Sequence, residues 1–296
     1  MKKLRAWMVR LTGVLVMAAG SVSTASAHAI SGMRVFPATM SFDDPGVADE
    51  APWVYSHINA NGTRQDSVSL AFAKRLTSSF GLAVSTDYQR HVPGDGSPTV
   101  EGWDNFTVAA AYQLFVHPDA ESIGMLQLAD SVGKSGSTVI GSSYSTYTPE
   151  FTYGKGFGGL SDKWQMLRPM AFTAAVSEDF PTASGVPHAL NWAFSLQYNI
   201  RYLQNFVRYV GLKAPFDKMV PIVEFPLQTC LDRGCSHETT GYANPGVIWV
   251  GRYFQWGIEA QVPINDRTGK SVGILLGMDF YFDDIAPHSL GRPMFR

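Results

Sequence analysis

The chain is short of charge, of cysteine and of any long apolar run. Only 16% of its 296 residues are charged, against about 25% in ordinary soluble domains, and that scarcity excludes a charged, disordered chain. Two cysteines are too few for a disulfide scaffold. No run of ~20 apolar residues is present to form a membrane-spanning helix. What the chain does have is 45% hydrophobic and 12% aromatic residues and 28 glycines, at a mean hydropathy of -0.03. Apolar side chains are plentiful but dispersed. Lys2, Lys3, Arg5 and Arg10 fall in the first 27 positions, which hold no acid, leaving 19 basic and 25 acidic groups in the remainder. An acidic remainder argues against nucleic acid as a partner.

Residues 1–27 join a basic start to the apolar stretch Leu11 to Ala19 and end in Ala25-Ser26-Ala27. This is the order of a secretory signal peptide, and cleavage after Ala27 makes His28 the first mature residue. A second site, Ala27-His28-Ala29, would cut before Ile30. The apolar stretch is too short to anchor the chain, so release into an oxidising compartment is expected. There Cys230 and Cys235, five residues apart around Gly234, are placed to close a small disulfide ring. A closed zinc site at these cysteines lacks ligands, since only His237 is nearby.

From Trp53 onward the dominant pattern has a period of two, which sends successive side chains to opposite faces of a strand. Leu190, Trp192, Phe194, Leu196, Tyr198 and Ile200 alternate with Asn191, Ala193, Ser195, Gln197 and Asn199. The segments 80–89, 106–114, 254–264 and 272–282 repeat the pattern. They run to about ten residues, longer than the usual strand and close to the 9–11 that cross a bilayer at a tilt. In a soluble antiparallel sandwich the second face would be rich in Lys and Glu. Here it is mostly Ser, Ala, Gly, Gln and Asn, which suits a crowded barrel interior with the large residues turned to lipid.

Twelve strands are expected, near 52–58, 65–75, 79–90, 103–116, 121–131, 145–153, 164–178, 189–200, 217–229, 243–250, 253–264 and 271–282. An even number is what a closed single-chain bacterial barrel requires. The sixth has the weakest alternation, and ten strands is the alternative count. Links after the second, fourth and tenth are tight, while those between carry Gly/Pro/Ser loop signals. Two links on the tight side, 154–163 and 201–216, are long. The expected organisation is a signal peptide (1–27), a periplasmic or lumenal segment (28–50), an all-β antiparallel transmembrane barrel (51–284) and a tail (285–296).

The signal peptide, alternation, tryptophans near strand ends and a final strand carrying Met278, Phe280 and Phe282 resemble bacterial outer-membrane β-barrel proteins. The layout over residues 50–285 is loosely similar to transporter-like barrels associated with phenol degradation. That resemblance implies a place in the outer membrane of a Gram-negative type of cell, outer-membrane lipid as a partner, and passage of small solutes.

If the large residues face lipid, parity turns Asp87, Glu150, Glu224, Glu259 and Asp279 toward the lumen, with Arg75 as the clearest opposing base. Such carboxylates line a water-filled path favouring cations, or form an internal ionic network that plugs it. A terminal His28 offers an amino group and an imidazole to a metal such as copper. Enzyme signatures are incomplete: His237-Glu238-Thr239-Thr240-Gly241 lacks the second histidine of a zinc protease, and Gly269-Lys270-Ser271 lacks the first glycine of a phosphate loop. The chain carries no cofactor motif. The expected function is a non-enzymatic barrel passing small solutes. The alternatives are a closed structural or metal-handling barrel, and a membrane lipid hydrolase using a serine and a histidine.

Overall fold

The computed structural model of the protein describes residues 29–60 and 62–295, so the leader region and His28 lie outside the described residues. A short hairpin comes first, β1 (Ala29–Ser31) and β2 (Arg34–Phe36). Then follow β3 (Glu50–Ala60), β4 (Thr63–Arg75), β5 (Phe80–Pro93), the short β6 (Val100–Trp103), β7 (Thr107–His117), β8 (Ser122–Ser131) and β9 (Thr146–Gly156). The series ends with β10 (Met170–Pro181), β11 (Ala189–Tyr198), β12 (Met219–Cys230), β13 (Thr239–Val250), β14 (Phe254–Pro263) and β15 (Gly273–Tyr281).

The twelve long strands from β3 to β15 form a closed antiparallel barrel, with β6 extending the edge of β5. Closure comes from β15 pairing with β3, from Ile274 opposite His57 to Tyr281 opposite Glu50. It matters because no water is available in a bilayer to satisfy an open strand edge. A strand of 11 residues, such as β3, is about 36 Å long and at a tilt of ~40° rises about 28 Å, enough for an apolar band of ~25 Å. The alternation sorts the side chains as its period demands. Leu82, Val84, Trp192, Leu196, Ile258 and Leu276 are exposed on the outside, while their neighbours Ala193, Ser195, Glu259 and Leu275 are buried within. Among the described residues, no helix is long and apolar enough to cross a membrane.

One end of the barrel has tight turns at residues 76–79, 118–121 and 251–253 beside two long links, 157–169 and 199–218, and the opposite, long-loop end carries loops such as 132–145, 182–188 and 264–272. Each expected strand has its counterpart, including the weak sixth, which is β9 with Pro149 and Glu150 inside it. The seventh begins later than expected. Asp162–Leu167 form a 3-10 turn and β10 starts only at Met170, because Pro169 has no N–H to give a ladder. The tenth begins earlier, at Thr239, where Gly241, Pro245 and Gly246 interrupt the alternation that marks a strand. The cysteines join in a loop at the long-loop end, with an S–S distance of 2.08 Å.

Candidate functional site in the barrel lumen

The segment before the first barrel strand lies inside the barrel. Its hairpin closes the mouth at the tight-turn end, where Ser31 Oγ donates to the carbonyls of His117 and Ser122, each at 3.0 Å. Arg34 is the anchor. Its guanidinium donates to Glu121 Oε2 at 3.0 and 3.1 Å and to the Pro169 carbonyl at 3.0 Å. It also stacks 3.9 Å from the ring centroid of Tyr202, whose hydroxyl donates to Glu121 Oε1 at 2.8 Å. With Arg34 fully buried, the charge is tolerable only because every polar face is met.

Beyond the hairpin the chain runs up the lumen and back to Glu50, gripped by side chains of the wall. Gln255 Nε2 donates to the Ala38 carbonyl at 2.6 Å. Glu224 accepts from the backbone N–H groups of Met40 at 3.1 Å and Ser41 at 2.9 Å. Asn244 Nδ2 donates to Ser41 Oγ at 2.8 Å, and Gln127 Nε2 to Asp43 Oδ2 at 2.5 Å. Gln113 serves both directions, donating to the Pro45 carbonyl at 3.0 Å and accepting from Val47 N–H at 3.2 Å. A carboxamide carries both a donor and an acceptor, so amides can satisfy an extended segment that has no strand partner. Two glycines make room for it: a Cβ on Gly277 would lie 2.5 Å from Met40 Sδ, and one on Gly257 3.0 Å from Met40 Cε.

Of the residues expected to line a path, Asp87, Glu150, Glu224, Glu259 and Asp279 do turn inward, but they face the segment rather than an empty channel. Asp43, Asp44, Glu50 and Asp87 share a cavity of about 290 Å³ with Ser69 and Ser85. Asp43 and Glu150 share another of about 340 Å³ with Ser41 and Asn191. Glu259 lies beside Glu224, and Asp279 beside Glu50. Both Glu259 and Asp279 are almost fully buried. In the segment itself, burial pushes the Asp44 carboxyl up to about 7 despite a hydrogen bond from Gly46 N–H, and the neighbouring Asp43 adds to the rise.

Arg75 does not oppose these carboxylates. Parity fixes a side chain's face but not its height, and Arg75 ends β4 at the tight-turn rim. There its backbone N–H and Nε donate to Asp49 at 2.7 and 2.9 Å, and its Nη2 to Asp283. Burial works to raise Asp49, but the bonds from Lys74 and Arg75 hold it below the usual carboxylate range. Asp283 is pushed up to about 7 by its burial, which outweighs the guanidinium beside it. The residues after β15 belong to the same clasp: Met294 and Phe295 N–H donate to the carbonyls of Arg75 and Leu76 at 3.3 and 2.7 Å. Among the described residues, no group of three or more His, Cys, Asp or Glu is arranged to hold a metal ion.

Gln113, Gln127, Asn244 and Gln255, which hold the segment, are neutral and so fall outside the charged set expected to line the lumen. Their signal was present in the Gln and Asn of the inward face, which a filled lumen needs and an open one does not.

No family model and no curated protein matches this sequence. Among solved structures, an outer membrane channel from Pseudomonas putida F1 superposes with a TM-score of 0.53 at 12% identity, over 83% of this chain and 99% of that one. The NanC porin gives 0.48 at 9% identity, over 78% and 98%, and the KdgM porin 0.45 at 12%, over 79% and 99%. At these identities the likeness is one of fold. The chain has the architecture of Gram-negative outer-membrane β-barrels, with twelve strands.

Proposed function

We propose that this protein is an outer-membrane barrel that passes small solutes, that residues 37–49 are a stopper which must shift for passage, and that the path favours cations. The observation that carries this reading is the lining. Small residues and five strand carboxylates surround a segment held by hydrogen bonds rather than by a packed apolar core, and hydrogen-bonded contacts in a hydrated space are readily exchanged for water. The acidic charge is not offset by Arg75 or Arg34, which are committed at the rim to Asp49, Asp283 and Glu121. An acid-lined confinement attracts cations and repels anions.

Planar-bilayer recording of the full chain and of a chain lacking residues 38–47 tests the reading. We expect infrequent conductance steps from the full chain, steady conductance from the shortened one, and a reversal potential under a salt gradient that favours cations. Glu259→Gln with Asp279→Asn should reduce that preference. If neither chain conducts in any salt, solute passage is wrong. If anions pass as readily as cations, passage stands and the acidic path falls. The closed structural barrel is a second reading, favoured by how many wall residues grip the segment. It prevails if only the shortened chain ever conducts.

A further inference from the structure

Two links at the tight-turn end are long, residues 157–169 between β9 and β10 and residues 199–218 between β11 and β12. They belong to adjacent hairpins and touch each other through their helical turns Asp162–Leu167 and Leu203–Val207. Their inner side closes the mouth, with Tyr202 buried under Arg34. Their outer side is different. Trp164, Met166, Phe206, Tyr209, Leu212 and Phe216 are all exposed there, Tyr209 to 73%.

This outer side continues the lipid-facing wall. Tyr198 stands in the outward register of β11 with Trp192 and Leu196, and its hydroxyl donates to the Met166 carbonyl at 3.1 Å. Lys218 lies 5.3 Å from the ring centroid of Trp249, the outward neighbour of the buried Ile248. The charge of the two links also runs against that of the chain. They hold Lys163, Arg168, Arg201, Arg208, Lys213 and Lys218 with only Asp162 and Asp217. Arg168 is paired with Asp162 at 2.8 Å, whereas Lys163, Arg201, Arg208 and Lys213 have no acidic partner among the described residues. The exposed rings Trp164 and Tyr209 directly follow Lys163 and Arg208 in sequence.

Exposed rings beside unpaired bases, level with the edge of an apolar wall, match the headgroup zone of a bilayer. The rings enter the boundary between headgroups and acyl chains, and the bases meet phosphate. A protein partner would have to displace the bilayer already required by the wall beside Tyr198 and Trp249. We infer that residues 157–169 and 199–218 form a ledge that binds anionic phospholipid headgroups in the leaflet at the tight-turn end. The inference rests on the barrel standing in a membrane and is independent of solute passage.

Native mass spectrometry of the full chain, released from detergent after titration with phosphatidylglycerol or phosphatidylethanolamine, tests it. Since a base near an anionic surface contributes about 1 kcal/mol, phosphatidylglycerol should be retained about tenfold more tightly or better, and the preference should shrink with added salt. The combined variant Lys163→Gln, Arg201→Gln, Arg208→Gln and Lys213→Gln should lose the preference while keeping heat-modifiable gel migration. Equal retention of the two lipids by the unaltered chain overturns the proposal, as does a preference indifferent to salt. A preference that survives in the folded variant overturns it too. A shift from dimer to monomer in the variant, without change in lipid retention, assigns the ledge to a second copy and overturns it. Failure of the unaltered chain to enter vesicles or to migrate heat-modifiably would instead strike the membrane reading beneath it.

Discussion

Replacing Glu224 tests the grip on the stopper most directly. Its carboxylate is fully buried and accepts two backbone N–H bonds, from Met40 at 3.1 Å and Ser41 at 2.9 Å. Hydrogen bonds to a charged group contribute about 1.5–3 kcal/mol each, so Glu224→Ala should weaken docking by about 3–6 kcal/mol and raise the released fraction roughly 10²- to 10⁴-fold. An opposing effect exists, because loss of the charge relieves crowding with Glu259. Glu224→Gln has the same relief but keeps one acceptor, so the difference between the two variants isolates the hydrogen bonds. Release is read as the labelling rate of Ser41→Cys by a bulky, water-soluble maleimide, alongside open probability in planar bilayers. The expected order is Ala above Gln above Glu. Equal labelling in Ala and Gln variants, or none in either, would refute the hydrogen-bond account.

Three other outcomes are expected. Docked Asp44 holds its proton up to about pH 7, whereas a released carboxyl gives it up near ~4. Docking contributed by this group is therefore fullest below pH 4 and declines as pH rises to 7; Ser41→Cys labelling should accelerate over that window, and Asp44→Asn should flatten the profile. Arg75→Met leaves Asp283 buried without its guanidinium and should cost about 3–5 kcal/mol, seen as a lower temperature for the heat-modifiable gel shift. Gly277→Leu fills the space of Met40 and should raise open probability, with the barrel's thermal transition little changed; an unaltered open probability would show that Met40 is not held there.

The period of two made the wall legible and left its contents obscure. Alternation at Trp192 to Tyr198 or Leu276 to Phe280 records which face meets lipid, because every second position must be apolar whatever its depth. It records nothing about height, which is why Arg75 and Asp87 looked equivalent although one lies at the rim and the other beside the cavity. It is also silent on segments that are not strands. Residues 37–49 show no periodicity, since their contacts come from wall amides that a charge-based reading treats as filler. The long links were visible as exceptions to the tight turns. Their burial on one side and exposure on the other depend on Arg34 and Tyr202 meeting across more than a hundred residues.

The stopper is continuous with the wall it closes, since Asp49, clamped by Arg75 and Lys74, directly precedes the first residue of β3. It is therefore a ligand that its receptor can never lose. Once released, it stays at an effective concentration of roughly millimolar set by its own tether. Reclosure is then a first-order step, indifferent to how many copies occupy the membrane, and any solute that holds the path open competes against that fixed local concentration.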